Sequence, residues 1–287
     1  MRPLPMPAKP IDGKALSGEI LAGVKTRVSS LKNSGIVPRL AVVLVGNSPA
    51  SELYVAKKKK ACEEAGVSFE LARFDETVSE QGLVEAVKAL DARGDVHAIL
   101  VQLPLPKGIG RFRVLDCVSA EKDADGFAPK NMGLLAHGSE PTVSCTALGI
   151  LRLVESTGAK IEGANVCIVN DTIVVGRPLA WLFLNRNATV EICNFYTKGL
   201  AAHTSRADIL VSAVGKPGII TKGMVKPGAI VIDAGIAKKD GKTLGDVDFG
   251  AVEKIASFIT PVPGGVGPMT IACLLENVVS LSEAQAK

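Results

Sequence analysis

Short apolar runs alternate with segments of helical spacing along most of this 287-residue chain, and no other feature constrains its fold as strongly. Arg39 to Gly46 (RLAVVLVG) is a continuous apolar run closed by glycine, followed by Asn-Ser-Pro-Ala-Ser, whose serines are good N-caps for a helix from Glu52 to Ala65. Val67 to Phe74 reads as a second strand, Ser79 to Ala92 as a second helix, and Ala98 to Leu103 as a third strand broken by Pro104 and Pro106. Unbroken apolar runs are what strands need when helices cover both faces of a parallel sheet. The pattern predicts an α/β fold of βαβ units, and the length fits roughly two domains at about 150 residues each.

A second series begins after Thr157-Gly158. Asn165 to Val169 reads as strand, Gly176 to Asn187 as helix and Thr189 to Cys193 as strand; Asp208 to Val214, Ala229 to Ile232 and Ser257 to Thr260 follow. Short crossovers between these strands predict a doubly wound, Rossmann-like nucleotide-binding domain. Ala147 to Glu155 has helical spacing and bridges the two series, and Thr270 to Ala286 is again helical. The expected boundaries are 1–148 for the first domain, with a C-terminal helix at 272–287 packing back on it, and 149–271 for the second. No internal repeat or low-complexity segment interrupts them.

Composition excludes several classes of function. With 47% hydrophobic and 22% charged residues the chain is neither disordered nor fibrous. A formal charge of +4 is too small and scattered for a nucleic-acid footprint, though it mildly favours an anionic small ligand. Cysteines at 62, 117, 145, 167, 193 and 273 form no CxxC pair and no zinc spacing, so they read as reduced, mostly buried thiols, with no metal site expected. The start, MRPLPMPAKP, lacks the apolar stretch of a signal peptide, and no apolar run approaches the ~18 residues needed to cross a membrane. A cytoplasmic enzyme or binding protein is expected.

Five segments carry candidate chemistry. In SELYVAKKKK, Tyr54 and Lys58 are four residues apart and share one helix face, with Lys57 and Lys59 pointing elsewhere. A lysine run is ordinarily a solvated face, but this helix directly follows a strand, so its first turns lie at the carboxyl edge of the sheet, where α/β proteins bind ligands. Gln102 leaves a strand at that same edge, and if buried it must find a partner, for which a lysine is one choice. KDADGF places Asp123 and Asp125 in a glycine-containing loop, which alone is an ordinary turn and far short of a calcium loop. PVPGGVGPMT, residues 261–270, is a stiff segment poor in side chains between a strand and a helix, suited to close approach by a flat ligand. Val169-Asn170-Asp171-Thr172 leads through Val175 and Gly176 into a helix, where a Rossmann domain carries its fingerprint; G-x-G-x-x-G is absent, but a helix N-terminus remains for a pyrophosphate.

The strings YVAKKKKACEEAG, VQLPLP, KDADGF, VVGRPLA, ADILVSAVGKPG, GAIVIDAGI and PVPGGVGPMTIACLLEN, in this order, resemble the bifunctional methylenetetrahydrofolate dehydrogenase/methenyltetrahydrofolate cyclohydrolase (FolD) family over nearly the whole chain. The resemblance implies oxidation of 5,10-methylenetetrahydrofolate with NADP or NAD, then hydrolysis of the methenyl product to 10-formyltetrahydrofolate, in a cleft between two domains. It makes Lys58 the key catalytic group, held by Gln102, with Tyr54 packing against the folate and Asp125 accepting hydrogen bonds from the pterin. A catalytic lysine must shed or share a proton near neutral pH. Val101, Leu103, Pro263, Gly264, Gly265 and Gly267 would line the substrate. Thr146, Asn170, Asp171, Thr172, Val175, Gly176, Thr197, Ile236 and Thr270 would meet the cofactor. A homodimer through the second domain is implied, with no nucleic-acid or membrane partner and no room for a formyltetrahydrofolate synthetase domain.

Three departures bear on the cofactor. The family's Gly-Arg-Ser reads Asn170-Asp171-Thr172 here, its His-Ser-x-Thr reads Asn194-Phe195-Tyr196-Thr197, and its Pro-Cys-Thr-Pro reads Ser144-Cys145-Thr146-Ala147. Arginine and serine there grip the 2′-phosphate of NADP; an aspartate repels it by roughly 1 kcal/mol at ~4 Å. NAD tolerance or preference is therefore expected, unless Arg177 turns towards the phosphate and restores NADP binding. The alternatives are a cyclohydrolase with weak or lost dehydrogenase activity and a non-catalytic nucleotide-binding homologue, since fold does not establish function.

Overall fold

The computed structural model describes residues 7–239 and 241–286; the proline-punctuated start at 1–6 lies outside them. The chain opens with β1 (Lys9–Pro10) and α1 (Gly13–Asn33), then runs through β2 (Arg39–Val45), α2 (Pro49–Ala65), β3 (Ser68–Phe74), α3 (Glu80–Asp91) and β4 (Ala98–Val101). These last three strands form a parallel sheet in the order β3-β2-β4. β2 is central, and its residues 40–45 are all buried, which is why its sequence is an unbroken apolar run.

Helix ends show which local signals were used. α2 starts at Pro49, earlier than the serine pattern predicts, because proline is tolerated in a first turn whose N–H groups lack helical partners anyway. The expected serine cap is not made: Ser48 occupies the cap position without a side-chain hydrogen bond. At the other end Gly66 takes φ 78° and returns its N–H to the carbonyls of Cys62 and Glu63. α3 does have its cap, with Ser79 Oγ accepting from the Gly82 N–H at 3.1 Å.

Two short helices, α4 (Arg111–Leu115) and α5 (Pro129–Ala136), precede α6 (Cys145–Glu155). The second series follows: β5 (Asn165–Val169), α7 (Gly176–Leu184), β6 (Thr189–Cys193), α8 (Leu200–Thr204), β7 (Ile209–Ser212) and β8 (Ile230–Asp233). After them come the hairpin of β9 (Ala237–Lys239) and β10 (Lys242–Leu244), then α9 (Phe249–Val252), β11 (Phe258–Ile259) and α10 (Val266–Gln285). The six-stranded sheet runs β1-β11-β8-β7-β5-β6 with every pair parallel. The hairpin is absent from the sequence reading because its lysine-rich strands carry no apolar alternation.

The chain divides into two compact units, one of residues 1–18 and 144–270, the other of 19–143 and 271–287. Here the structure departs from the 1–148 boundary. β1 pairs in parallel with β11, Lys9 opposite Phe258 and Pro10 opposite Ile259, so this strand belongs to the six-stranded unit. Proline is acceptable in β1 because it is an edge strand. Among the described residues, no helix is long and apolar enough to cross a membrane and no cluster of ligating side chains could hold a metal. Among the described residues none of the six cysteines forms a disulfide, and five of them are buried.

Candidate active site

Both sheets contain a crossing point. In the three-stranded sheet the chain goes from β2 to β3 on one side and returns as β4 on the other; in the six-stranded sheet it goes from β5 to β6 and returns as β7. Parallel α/β sheets bind ligands at the carboxyl ends of strands where the direction reverses in this way.

At the first crossing point α2 carries Tyr54 and Lys58, both half-buried. Lys58 Nζ donates to Gln102 Oε1 at 3.0 Å. Gln102 is the first residue beyond β4, and its own N–H is bound to the Val43 carbonyl at 2.9 Å. Its Nε2 donates to the Leu103 carbonyl at 2.7 Å. A carbonyl can only accept, so the amide nitrogen must face Leu103 and the oxygen must face the lysine. The lysine run is thereby divided: Lys59 and Lys60 pair with Glu63 and Glu64 at 3.9 and 3.7 Å on the solvated face. Lys57, expected to point elsewhere, lies 5.9 Å from the Tyr54 ring centroid, since a spacing of three also brings neighbours together on a helix. Burial raises the Tyr54 phenol above its ordinary range. One turn beyond Lys58, burial pushes the Cys62 thiol up to about 12, leaving it protonated and unreactive.

The neighbouring residues divide into those that offer side chains and those that offer backbone. Val101 is 3% exposed, so a ligand could meet only its backbone, while Leu103 is half-buried and precedes the cis Pro104 peptide. An isolated parallel bridge joins Ile99 to Asp123, and half-buried Asp125 lies in the turn that follows it. Asp123 is the architectural carboxylate of the KDADGF loop. It accepts from the Ala128 N–H at 2.6 Å and Asn131 Nδ2 at 2.9 Å, and burial raises its pKa. Asn277, which the sequence reading does not single out, donates from Nδ2 to the carbonyls of Ala124 and Val143 at 3.0 Å each and so fixes the approach to Asp125.

At the second crossing point Asn170 organises the β5–α7 turn. Its Oδ1 accepts from the Thr172 N–H, the Thr172 hydroxyl and the Gly176 N–H at 2.9, 2.8 and 3.0 Å. Its Nδ2 donates to the Ala213 carbonyl beyond β7 at 2.7 Å. A Cβ at Gly176 would collide with the Asn170 carbonyl, so this position requires glycine. The Val175 N–H is taken by Thr172 Oγ1 at 3.3 Å. The turn thus uses the N–H groups of both Val175 and Gly176, and what the start of α7 keeps for a phosphate is its positive dipole end. Asp171 is exposed, with its carboxylate 3.2 Å from Asn194 Nδ2. The Arg177 guanidinium donates to the Asp171 carbonyl at 3.0 Å. Thr197 Oγ1 accepts from the Asn194 N–H at 2.9 Å, shaping the turn in which Phe195 and Tyr196 stand 95% and 84% exposed.

The 261–270 segment is not wholly a loop. α10 already begins at Val266, because Pro268 falls in its first turn, where a missing N–H costs nothing. Gly267 and Thr270 are helical, and Pro263, Gly264 and Gly265 form the entry turn. The segment belongs to the six-stranded unit: a Cβ at Gly13 would strike the Gly265 backbone, and one at Gly149 would press on Met269. Thr270 Oγ1 lies 3.3 Å from Thr146 Oγ1. Tyr54, Lys58, Val101, Gln102, Leu103 and Asp125 are thus brought together in one unit, whereas the glycine-rich segment and the nucleotide residues lie in the other.

Family models of the tetrahydrofolate dehydrogenase/cyclohydrolase match both units, the catalytic domain over residues 11–125 and the NAD(P)-binding domain over residues 144–286. The bifunctional protein FolD of Nautilia profundicola is 48% identical over 278 residues, 96% of this chain and 98% of its own. The chain belongs to the tetrahydrofolate dehydrogenase/cyclohydrolase family. The crystal structure of the bifunctional enzyme FolD from Campylobacter jejuni superposes with a TM-score of 0.94 at 43% identity, covering 96% of this chain and 99% of that one. That of Trypanosoma brucei FolD, complexed with NADP cofactor and inhibitor, gives 0.94 at 33% identity, covering 99% and 100%.

The residues of this dehydrogenase/cyclohydrolase fit a dinucleotide. The carboxyl edge of its six-stranded sheet combines the start of α7 with two exposed apolar side chains, Val214 at 46% and Ile236 at 47%, able to meet a flat ring. Two buried carboxylates beneath that edge, Asp233 and Asp246, are missing from the sequence reading. Their partners are mostly backbone N–H groups, which leave no mark in a sequence; the available signal was the glycines beside them, Gly235 and Gly245.

Proposed function

We propose that Lys58 carries the hydrolytic proton transfers of an enzyme that oxidises 5,10-methylenetetrahydrofolate to the 5,10-methenyl form with NAD(P)+ and hydrolyses that form to 10-formyltetrahydrofolate. The observation that carries this reading is the Lys58–Gln102 bond at the first crossing point, with the amide locked by Leu103. When bound, the dinucleotide supplies the acceptor for the hydride that leaves the one-carbon bridge. The bridge carbon is then a cation shared by N5 and N10. Water adds to it and Lys58 takes one proton from that water; the C–N5 bond breaks as this proton is returned to N5, and the remaining hydroxyl proton leaves to solvent as the C=O of the N10-formyl group forms. Gln102 Oε1 accepts one Lys58 N–H throughout, directing the remaining positions of the amine towards the reacting atoms. Tyr54 and Asp125 hold the pterin, the phenol by its ring face and the carboxylate by accepting ring N–H groups. Lys58→Met should remove methenyl hydrolysis from a protein that remains folded, followed by loss of methenyl absorbance; unchanged hydrolysis would overturn the assignment.

NAD is the favoured cofactor in this reading. Asp171 places an exposed carboxylate where a 2′-phosphate would be gripped, its oxygen accepts from Asn194, and Arg177 is engaged with the Asp171 backbone. Comparing kcat/KM for the two nucleotides tests this, and a strong NADP preference would sink it. A homodimer through the six-stranded unit is also proposed, supported by edge strand β6 with Ile192 42% exposed. Light scattering on the purified chain distinguishes dimer from monomer.

A further inference from the structure

The six-stranded unit contains a device the catalytic reading does not use. Asp246 is fully buried, and its carboxylate accepts three hydrogen bonds: from Ser212 Oγ at 2.7 Å, the Val214 N–H at 2.6 Å and the Lys216 N–H at 2.8 Å. Asp233, 4% exposed, accepts from the N–H groups of Gly235, Asp246 and Val247 at 3.0, 2.9 and 2.9 Å. The first carboxylate fastens the loop after β7, and the second fastens the loop after β8 to the segment that bears the first. The fit is tight enough that a Cβ at Gly235 would collide with the Asp246 carboxylate and one at Gly245 with that of Asp233. Two glycines without side chains, each facing a carboxylate from the other segment, make a reciprocal clasp.

The clasp ends on the surface read above as the cofactor edge. Ala213 receives the Asn170 side chain, Val214 stands exposed, and a Cβ at Gly215 would lie 3.5 Å from the Ile236 carbonyl. A continuous line of contacts therefore runs from the β5–α7 turn through residues 213–216 to Asp246, through Asp233 to Gly235, and so to Ile236. No atom of either carboxylate needs to touch the cofactor for its position to matter.

We propose that Asp246 and Asp233 are positioning residues for the dehydrogenase half-reaction, holding the loops at 213–216 and 234–236 in the shape that receives the dinucleotide, a role that rests on the reading that the dinucleotide lies along this edge. Hydrolysis of the methenyl substrate needs no dinucleotide, and the Asp246 carboxylate shares no hydrogen-bond partner with Lys58 or Gln102. The distinguishing variant is Asp246→Asn. An amide has one acceptor atom, so its NH2 group must oppose either the Lys216 N–H or the Val214 N–H, donor against donor.

The holoprotein is assayed for dehydrogenase activity across NAD and NADP concentrations and, without cofactor, for hydrolysis of 5,10-methenyltetrahydrofolate, with thermal unfolding measured in parallel. Asp246→Asn should raise the cofactor KM about tenfold, the effect of losing one charged hydrogen bond. Hydrolysis should stay within about twofold, as expected for sites that share no partners. Ser212→Ala, which deletes one bond of the clasp and keeps the backbone, should raise the same KM about threefold and carries the comparison if Asp246→Asn does not fold. Hydrolysis falling in step with oxidation would overturn the proposal, because the carboxylates would then be merely structural. Asn170→Ala separates the clasp from the reading beneath it. If Asn170→Ala raises the cofactor KM and the clasp variants do not, the clasp fails and the cofactor edge stands; if none of them moves it, both fail.

Discussion

Each sheet places an amide at its crossing point, and the two amides are used in opposite ways. Gln102 anchors its nitrogen on the next carbonyl and presents its oxygen to Lys58, so the amide holds the side chain proposed to move protons. Asn170 turns every bond inward, to Thr172, Gly176 and Ala213, so the amide holds backbone. Equivalent topology thus supplies a chemical tool in one unit and a rigid rim in the other. Substitutions in the first should cost activity without stability, and substitutions in the second should cost stability or cofactor use without hydrolysis.

The sharpest way to break this contrast is Lys58→Met, for which methenyl hydrolysis should fall about a thousandfold or more while the melting temperature is kept. On the other side, Gly176→Ala forces a Cβ into the Asn170 carbonyl and should destabilise the chain by about 3 kcal/mol in chemical denaturation, with any surviving folded protein still hydrolysing the methenyl substrate. A stable Gly176→Ala protein would mean that the turn is looser than the Asn170 bonds require.

Acid titration sharpens the comparison by sign. Ion pairs with Arg73 and Arg93 lower Glu52 and Glu70 in the three-stranded unit, so they favour the folded state until pH falls through their lowered range. Asp233 does the reverse: burial lifts its carboxyl from 3.8 to about 6, so in between the folded chain holds a proton that the unfolded chain has released. Its contribution is complete below about pH 4 and disappears as pH rises towards about 6, a change of about 2–3 kcal/mol. The unfolding free energy of Asp233→Asn, measured across that range, should lack this fall; an unaltered slope would remove Asp233 from the account.

Smaller effects test the detail. Gln102→Leu should slow hydrolysis about tenfold through loss of the Lys58 hydrogen bond, leaving cofactor KM unchanged. Asp171→Arg should shift the NADP-to-NAD ratio of kcat/KM upwards about fivefold by replacing repulsion with attraction at the 2′-position. A ratio that does not move would show that Asp171 does not face that phosphate.

What the sequence reveals follows from where each signal is stored. β5 and β6 match their expected bounds residue for residue, and β2 is recovered as a long apolar run, because strands in parallel sheets are marked by their own composition. The Tyr54 and Lys58 face was legible from helical spacing, and the position of Gln102 from the end of a strand; their roles came from the resemblance. β1 was invisible because two residues carry no pattern, and its partner lies at the far end of the chain. The start of α10 was misread because glycine and proline signal loops until one asks which turn of the helix they occupy. Asp233 and Asp246 escaped because a carboxylate that binds backbone N–H groups needs no complementary side chain elsewhere in the sequence.

The pairing of β1 with β11 sets a timetable for synthesis. Phe258 follows Lys9 by 258 − 9 = 249 positions, so at ~5–20 residues per second the first strand waits ~12–50 s on the ribosome for its neighbour. The three-stranded sheet is complete long before, yet Asn277, which ties down Ala124 and Val143, is made later still. α10 begins in one unit and ends in the other, and neither unit can finish its hydrogen bonds until that last helix has emerged.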